Sequence, residues 1–253
     1  MANELNVINS CYSNLNCKDC YILSNMITVK PVVNKRKMFE VFEHFKNKGF
    51  NKLTFMGGEP LLDTYRLLDT VNLAKNYFDN ITIITNGILL SEWFAKELID
   101  AGVNKFTFNV LGIDDEMLNS VAGIIRKVEI PVDTIKYVNN LVETIIYVPL
   151  FKAYENEIIT GFNDLLDKMG VDKITFIATE QKQFETLNFY QNIKISSQLL
   201  NSEEYFEIYD TSKYQIGFLD IFKYIKSDNN YYLFPDLEVR TSLFHEDSIY
   251  EII

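Results

Sequence analysis

Cysteine, histidine and long apolar segments are scarce in this chain. Of its 253 residues only three are cysteine and two are histidine. No segment reaches the ~18 consecutive apolar residues of a membrane span. The N-terminus has neither a basic region nor a long apolar stretch, so we expect no signal peptide. An odd number of cysteines without a secretory signal argues against a disulfide framework. We therefore predict a cytoplasmic protein with reduced thiols and no membrane association.

Positive charge is also scarce. The chain has 24 Lys and Arg against 35 Asp and Glu, a formal net charge of −11. Binding to nucleic acid depends on clustered Lys and Arg, so we expect no nucleic-acid partner. Hydrophobic residues make up 47% of the sequence, which is enough to bury a sizeable core and argues against disorder.

Strand-like apolar runs alternate with stretches of helical period along most of the chain. The pattern predicts strands over residues 5–8, 52–55, 81–85, 106–110, 143–149 and 173–177. It predicts helices over residues 34–48, 61–77, 114–126 and 153–169, and another helix that begins after Ser91 as N-cap. Residues 128–141 fit neither period.

Strand followed by helix, repeated about six times, is typical of parallel strands with helical crossovers. We therefore predict an α/β fold with a partial (β/α)6 TIM-like barrel in residues 1–180. Residues 181–253 have no such repeat and contain many Tyr, Phe, Asn and Ser. We expect them to form a C-terminal extension that covers the barrel and closes one end.

Polar and glycine-rich motifs follow four successive predicted strands. In parallel α/β barrels, functional residues collect at the carboxyl ends of the strands. The motifs should therefore lie on one rim: Cys11, Cys17 and Cys20 after the first strand, Gly57-Gly58-Glu59-Pro60 after the second, Asn86-Gly87 after the third and Asn109 to Gly112 after the fourth.

The cysteines are the strongest chemical signal. Three closely spaced thiolates favour a metal or an iron–sulfur cluster, and three ligands leave one position open for chemistry. Two alternatives remain. One is a zinc site, which would need a fourth ligand, and the only histidines are His44 and His245. The other is three buried thiols with no ligand at all.

The Gly-Gly-Glu-Pro turn is suited to an ammonium group. Gly57 and Gly58 lack a Cβ and allow close approach, and the Glu59 carboxylate only accepts hydrogen bonds when ionised. Pro60 suits the start of a helix. The alternative is an ordinary turn between a strand and a helix. Asn86 is either a polar ligand contact or a turn-forming residue before Gly87.

These motifs together resemble the radical S-adenosylmethionine (SAM) superfamily over roughly residues 4–180. The spacing here is Cys-x5-Cys-x2-Cys, whereas the family usually has Cys-x3-Cys-x2-Cys. Ser13 stands where the family's first cysteine is expected, and Cys11 lies two residues earlier. Asn109 to Gly112 resembles a degraded form of another family motif, with Leu111 in place of an aspartate.

The resemblance implies the cofactors and their ligands. Cys11, Cys17 and Cys20 would bind three irons of a [4Fe–4S] cluster, and the fourth iron would chelate SAM. The turn at residues 57–60 would contact the SAM amino group. Asn86 and Asn109 would make further SAM contacts, and Tyr21 would replace an aromatic residue that the family often has at position 19. Such an enzyme receives an electron from an external donor and cleaves SAM to a 5′-deoxyadenosyl radical.

The C-terminal residues 232–252 predict the substrate class. Residues 232–242 and 248–252 resemble the hairpin and closing helix of peptide-modifying members, without their cysteines, although a plain hairpin and terminal helix fit as well. We therefore expect hydrogen abstraction from a peptide. The alternatives are a radical SAM enzyme for a small metabolite or nucleotide, and a non-catalytic relative that only binds SAM or the cluster.

Overall fold

A single sheet of eleven strands organises the protein. The computed structural model describes residues 4–17, 20, 25–123, 126–226, 230–245 and 248–252, with backbone only for residues 225 and 226. The strand order is β11-β10-β1-β2-β3-β4-β5-β6-β9-β8-β7. Strands β1 to β6 are all parallel and follow one another in chain order. The prediction of a partial parallel α/β barrel is confirmed.

The six parallel strands agree with the sequence pattern to within two residues at their ends. They are β1 (Glu4–Ser10), β2 (Lys52–Gly57), β3 (Asn80–Thr85), β4 (Lys105–Asn109), β5 (Glu143–Leu150) and β6 (Lys173–Ala178). The helices between them are α1 (Lys35–Asn47), α2 (Thr64–Ala74), α3 (Glu92–Ala101), α4 (Asp115–Ala122), α5 (Val132–Asn139) and α6 (Glu155–Met169).

Side-chain caps fix where several helices begin. Asn34, Asp63, Ser91 and Asp114 each accept a hydrogen bond from the backbone N–H three residues ahead. The cap at Asp63 explains one difference from the predicted helix over 61–77. Pro60–Asp63 forms a short 3-10 helix, and α2 begins only after it.

Two further helices differ from their prediction. Helix α4 ends at Ala122, because Gly123 terminates it in a left-handed conformation. The segment 128–141, which fitted neither period, contains α5.

The residues after 180 add strands to both edges of the sheet. On one edge lie β9 (Gln215–Leu219), parallel to β6, and then β8 (Phe206–Asp210) and β7 (Gln198–Glu203). On the other, β10 (Tyr231–Leu233) runs parallel to β1 and forms a hairpin with β11 (Val239–Arg240). The short helices α7 (Gln183–Thr186), α8 (Asn188–Ser196) and α9 (Ile221–Lys226) connect them. The division into two units at residue 180 stays a prediction.

The prediction of a closing helix at residues 248–252 is wrong. Ile249 forms an antiparallel bridge with Arg240, and the Tyr250 N–H donates to the Val239 carbonyl at 2.8 Å. The Tyr250 ring also lies 5.0 Å from the Tyr231 ring, centroid to centroid. Pairing with β11 and this aromatic contact hold the segment extended, and five residues are too few to form a stable helix alone.

The strands have one apolar face and one mixed face. Alternate side chains such as Phe55, Ile83, Phe106 and Phe176 pack in the main core together with side chains of the surrounding helices. The other face lines a cavity of about 550 Å³, here called the lumen. Within the described residues, no helix combines the length and apolar character that a membrane span requires.

Candidate functional site

The carboxyl ends of β1 to β4 bring most of the predicted motifs together. The Gly58 N–H donates to the Ser10 carbonyl at 2.9 Å, and the Glu59 N–H donates to the Tyr12 carbonyl at 2.8 Å. The Asn86 side-chain amide donates to the Asn14 side-chain oxygen at 2.8 Å. The loop that begins at Cys11 is thus attached directly to the Gly-Gly-Glu-Pro turn and to the end of β3.

Glycine is required in the turn because the loop backbone lies against it. A Cβ on Gly58 would stand 2.1 Å from the Tyr12 carbonyl oxygen, and one on Gly57 would stand 2.4 Å from that of Ser10. Gly57 also has φ +128°, which L side chains rarely adopt. The backbone that approaches these glycines is therefore that of the cysteine loop. Their contact with SAM stays a prediction.

The Glu59 carboxylate is fully buried and satisfied by the chain itself. One oxygen accepts from the Leu61 N–H at 3.0 Å and the Thr85 hydroxyl at 2.7 Å. The other accepts from the Asn86 N–H at 2.9 Å. Burial raises the pKa of Glu59, although these three hydrogen bonds act to lower it. Glu59 therefore ties the end of β2 to the end of β3.

Asn9 is a site residue that the sequence did not indicate. It is buried at the end of β1, and its amide group donates to the Pro60 carbonyl at 2.7 Å and the Asp63 carbonyl at 3.2 Å. Pro60 itself is buried and begins the 3-10 helix. The only signal was a polar residue within an apolar strand, and Asn9 positions the start of the helix that follows the turn.

The two predicted asparagines differ in what their side chains do. The Asn86 side-chain oxygen accepts from the Ile88 N–H at 3.0 Å, as in an ordinary turn. Asn109 borders both the lumen and a small apolar crevice beside Leu15 and Asn86. Its side-chain oxygen is buried without a hydrogen-bond partner in the described part of the chain. Asn109 is therefore the better placed of the two to accept a hydrogen bond from a ligand.

The structure brings Cys17 and Cys20 next to each other. The Cys20 N–H donates to the Cys17 carbonyl at 3.3 Å, so these two residues are neighbours. Burial and the nearby Cys20 raise the pKa of Cys17 to about 11. Cys11 lies in a different cluster, with Ile8, Met26, Met56, Tyr232, Phe234 and Leu243. Burial raises its pKa as well.

The [4Fe–4S] cluster implied by the resemblance therefore fits these residues only in part. Cys17 and Cys20 are adjacent and half-buried, as a cluster ligand pair requires. Among the residues described here, no three Cys, His, Asp or Glu side chains form a metal-binding group. The role of Cys11 as the third ligand stays a prediction. Tyr21, the remaining predicted cofactor contact, lies outside the described residues.

The zinc alternative has no support from His44. That ring is 3.3 Å from the Tyr250 hydroxyl and packs edge-on against Phe45, far along the chain from the cysteines. Burial, with the charge of Lys48, lowers the pKa of His44. His44 therefore acts in packing of the C-terminal segment against α1.

The lumen has a polar wall that the sequence did not reveal. Thr54 of β2 donates to the Glu4 carboxylate, and Thr82, Thr107 and Tyr147 line the wall on β3, β4 and β5. Burial, with the charge of Glu4, raises the pKa of Tyr147 to about 12, so this phenol stays protonated at neutral pH. The lumen is lined on its other side by residues after 180, among them Asn201, Glu203, Tyr205, Ile221, Tyr224 and Asn230.

Comparisons with known sequences point to one superfamily. The family model described as the Radical SAM superfamily matches residues 5–187. The probable GTP 3′,8-cyclase of Methanococcus aeolicus is 28% identical over 182 residues, which cover 67% of this chain and 58% of that protein. The S-adenosylmethionine-dependent nucleotide dehydratase of Flammeovirga pacifica is 29% identical over 206 residues, which cover 78% of this chain and 67% of that protein.

Solved structures share the fold. The crystal structure of Streptococcus suis SuiB bound to S-adenosylmethionine has a TM-score of 0.66 at 14% identity, covering 99% of this chain and 61% of that one. Native anSMEcpe with bound AdoMet has a TM-score of 0.56 at 18% identity, covering 74% of this chain and 55% of that one. At these identities the likeness concerns the fold alone.

Proposed function

Because the chain belongs to the radical SAM superfamily, we propose that it removes a hydrogen atom from a small polar molecule, of nucleotide size, that binds in the lumen. The chain is an iron–sulfur-dependent enzyme, and its cofactors are a [4Fe–4S] cluster and SAM. When bound and reduced by an external electron donor, these cofactors supply a 5′-deoxyadenosyl radical for hydrogen abstraction.

The lumen is the observation that carries the proposal. Its volume of about 550 Å³ lies within the range typical of small-molecule sites. The cavity begins beside Asn109, at the rim where the cysteine loop and the Gly-Gly-Glu-Pro turn meet. A molecule in the lumen would therefore lie next to the place where the motifs predict SAM.

The lumen wall provides hydrogen bonds without a large net charge. Thr82, Thr107 and the protonated Tyr147 offer hydroxyl groups, and Asn109 offers an unpartnered oxygen. These groups suit the hydroxyl and amide groups of a sugar or base, and they would hold the reacting carbon in a fixed orientation. The strands and helices after residue 180 that line the far side would exclude water.

The sequence relatives favour a nucleotide within this class. Two of them are named as a GTP cyclase and a nucleotide dehydratase. Lys52 also lines the lumen, and it would supply positive charge for a phosphate group. The chain spans only 58% of the length of the Methanococcus aeolicus protein. A nucleotide substrate is therefore proposed from the names of the relatives and the lining of the lumen together.

A peptide, expected from the tail, is the second candidate. The observation in its favour is β7, an edge strand whose six residues are all exposed. An exposed edge strand can bind an extended peptide through backbone hydrogen bonds. The size of the lumen and the names of the sequence relatives favour the small molecule.

Substrate-dependent cleavage of SAM tests the proposal. The protein would be reconstituted anaerobically with iron and sulfide, reduced, and given SAM with panels of nucleotides, nucleosides or peptides. We expect a nucleotide or nucleoside to increase 5′-deoxyadenosine, measured by mass spectrometry, and expect no increase in Cys17→Ala. An increase with peptides alone would instead favour a peptide as the substrate. Bound SAM that is never cleaved under any condition would favour a non-catalytic relative.

A further inference from the structure

Glu4 gives the lumen a carboxylate that can still accept hydrogen bonds. It is the first residue of β1, is half-buried, and lines the lumen. The Thr54 hydroxyl donates to its Oε1. In the part of the chain that the structure describes, Oε2 has no hydrogen-bond partner, and Lys52, the Cα partner of Glu4 on β2, forms no ion pair with it. Glu4 therefore keeps accepting capacity for a ligand.

The other two carboxylates of the lumen lining have partners. Glu143 forms salt bridges with Lys105 at 3.9 Å and with Lys173 at 2.6 Å. Glu203 shares a hydrogen bond with Tyr205 and belongs to β7, the edge strand whose residues are all exposed. Glu4 is therefore the carboxylate best placed to bind a molecule inside the lumen.

Tyrosines near Glu4 add hydrogen-bond donors to the same part of the lumen. The charge of Glu4 acts on four phenols, those of Tyr147, Tyr205, Tyr224 and Tyr232. Burial, the largest cause, raises the pKa of Tyr147 and of Tyr205 to about 12, and it raises the pKa of the other two as well. At neutral pH these phenols are uncharged, so they supply O–H donors beside a carboxylate that only accepts.

Glu4 lies at the end of the lumen opposite to the rim. It begins β1, whereas Asn109, which borders the rim, ends β4. Lys52, Thr54 and Met56 of β2 all line the lumen, so the cavity follows that strand for about 13 Å at roughly 3.3 Å per residue. A group bound at Glu4 would therefore be the part of the substrate remote from the place where the motifs predict SAM.

A carboxylate with phenol donors beside it discriminates among nucleobases. An ionised carboxylate binds most strongly to two adjacent N–H groups, one for each oxygen. Guanine has such a pair at N1 and at the 2-amino group, and its O6 carbonyl lies next to them as an acceptor for a phenol O–H. Adenine and cytosine have one amino group beside a ring nitrogen whose lone pair would face the carboxylate, and uracil has one N–H between two carbonyls. Guanine alone among these bases matches both kinds of group.

We propose that Glu4 determines which base the lumen accepts, and that this base is guanine. The Glu4 carboxylate accepts from N1–H and from the 2-amino group, and the Tyr147 hydroxyl donates to O6. Thr54 holds the carboxylate in place, and Oε1 has two lone pairs, so it can accept from Thr54 and from the base together. The inference rests on the proposed function, because it names the base of the nucleotide assigned to the lumen. The sugar then lies toward the rim, where hydrogen abstraction is proposed.

Equilibrium binding of nucleosides tests this assignment without cleavage of SAM. The reconstituted protein, given SAM but no reductant, is titrated with guanosine, inosine, adenosine and cytidine in an isothermal titration calorimeter. Nucleosides separate the effect of the base from that of a phosphate group, and inosine is guanosine without the 2-amino group. We expect the wild type to bind guanosine with a Kd roughly tenfold to a hundredfold below that for inosine, as for one hydrogen bond to a charged group. Adenosine and cytidine should bind more weakly than guanosine.

A variant of Glu4 assigns the preference to this residue. Glu4→Gln keeps the shape of the side chain but replaces one accepting oxygen with an NH2 group. We expect its Kd for guanosine to rise roughly tenfold or more, and its preference for guanosine over inosine to fall below about threefold, because the NH2 group faces the donors of the base. Glu97→Gln, at an exposed position of α3, is the matched control and should bind both nucleosides like the wild type.

The outcomes separate this inference from the proposed function. A wild type that binds guanosine and inosine equally, or a folded Glu4→Gln that keeps the wild-type preference, would overturn the role of Glu4. A preference of the wild type for another base would also overturn it and leave the proposed function standing. No binding of any nucleoside would overturn both. The comparison of nucleosides on the wild type needs no variant, so the inference is tested even if circular dichroism shows that Glu4→Gln unfolds.

Discussion

At the scale of single residues, the rim depends on buried polar groups whose hydrogen bonds join its elements. Glu59 accepts three hydrogen bonds from β3 and from its own turn, and Asn9 donates two to the start of the following helix. A buried polar group that loses its partner costs about 1–3 kcal/mol, more than a typical surface contact contributes. These residues therefore fix the geometry of the turn before any ligand binds.

We expect Glu59→Gln to lower the free energy of unfolding by about 1–3 kcal/mol, because the new NH2 group would face an N–H donor instead of accepting from it. Urea unfolding followed by circular dichroism measures the change. Glu97→Gln, at an exposed position of α3, is the matched control and should unfold like the wild type. An equal effect in both variants would contradict the role given to Glu59.

The sequence could indicate Glu59 as a site residue but not its role. Spacing and residue type placed it after β2, which is correct. The direction of its carboxylate is set by donors on β3, which are 26 and 27 residues away along the chain.

At the scale of secondary-structure elements, the turn after β2 and the loop after β1 form one unit. Their backbones touch at Gly57 and Gly58, and two backbone hydrogen bonds join them. Most of the helices and all of the central parallel strands could be predicted because they have a clear period, and four helices begin after a capping residue. The closing helix at residues 248–252 could not, since pairing with β11 outweighs local preference.

We expect Gly58→Ala to disturb the cysteine loop, because a Cβ there would stand 2.1 Å from the Tyr12 carbonyl oxygen. Overpacking of this kind costs roughly 1–3 kcal/mol or more, and the loop should bind less iron on reconstitution. Gly170→Ala is the control. It has φ +67° but no atom within 4 Å of the new Cβ, so it should lose stability without losing iron. Equal iron binding by all three proteins would contradict this account.

Three strands are also joined by charge at their amino ends. Glu143 of β5 forms salt bridges with Lys105 of β4 at 3.9 Å and Lys173 of β6 at 2.6 Å. Burial alone would raise the pKa of Glu143, but the hydrogen bond from Lys173 and the charges of both lysines outweigh it, so the pKa lies below its ordinary value. The stabilisation is therefore present above the pKa of unfolded glutamate and is lost as the pH falls through the lower pKa of the folded state.

We expect Glu143→Gln to be less stable than the wild type near neutral pH, by less than about 1 kcal/mol since the group is partly exposed. The difference should vanish at acidic pH, once the carboxyl of the folded wild type is protonated. Thermal unfolding of both proteins across this range measures it, with Glu97→Gln as the control that shows no such trend. A difference that stays constant down to low pH would contradict the assignment.

At the scale of the whole molecule, the lumen is lined by the parallel strands and by residues after 180 together. The rim motifs could be placed from sequence because parallel strands end at one edge. The lumen could not, because runs such as residues 53–56 do not show which side chains face a cavity until the strands are assembled. The strands β7 to β9 and helix α9, which line its far side, lie where the sequence pattern is weakest.

A lumen variant tests whether the substrate binds there. Thr107→Val keeps the shape of a side chain on the lumen wall and removes its hydroxyl. If the hydroxyl contacts the substrate, we expect KM to rise roughly twofold to tenfold, equivalent to one neutral hydrogen bond. Thr160→Val, at an exposed position of α6, is the matched control and should leave KM unchanged. An unchanged KM in both variants would indicate that the substrate binds elsewhere.

The central claim is hydrogen abstraction from a small molecule held in the lumen, and isotope transfer tests it most directly. The reconstituted, reduced protein is given SAM and a mixture of carbon-deuterated nucleotides and nucleosides, and the 5′-deoxyadenosine formed is analysed by mass spectrometry. The account predicts deuterium in the 5′-deoxyadenosine, with less of it formed in Thr107→Val. Unlabelled 5′-deoxyadenosine with every compound in the mixture, together with label transfer from deuterated peptides, would contradict it.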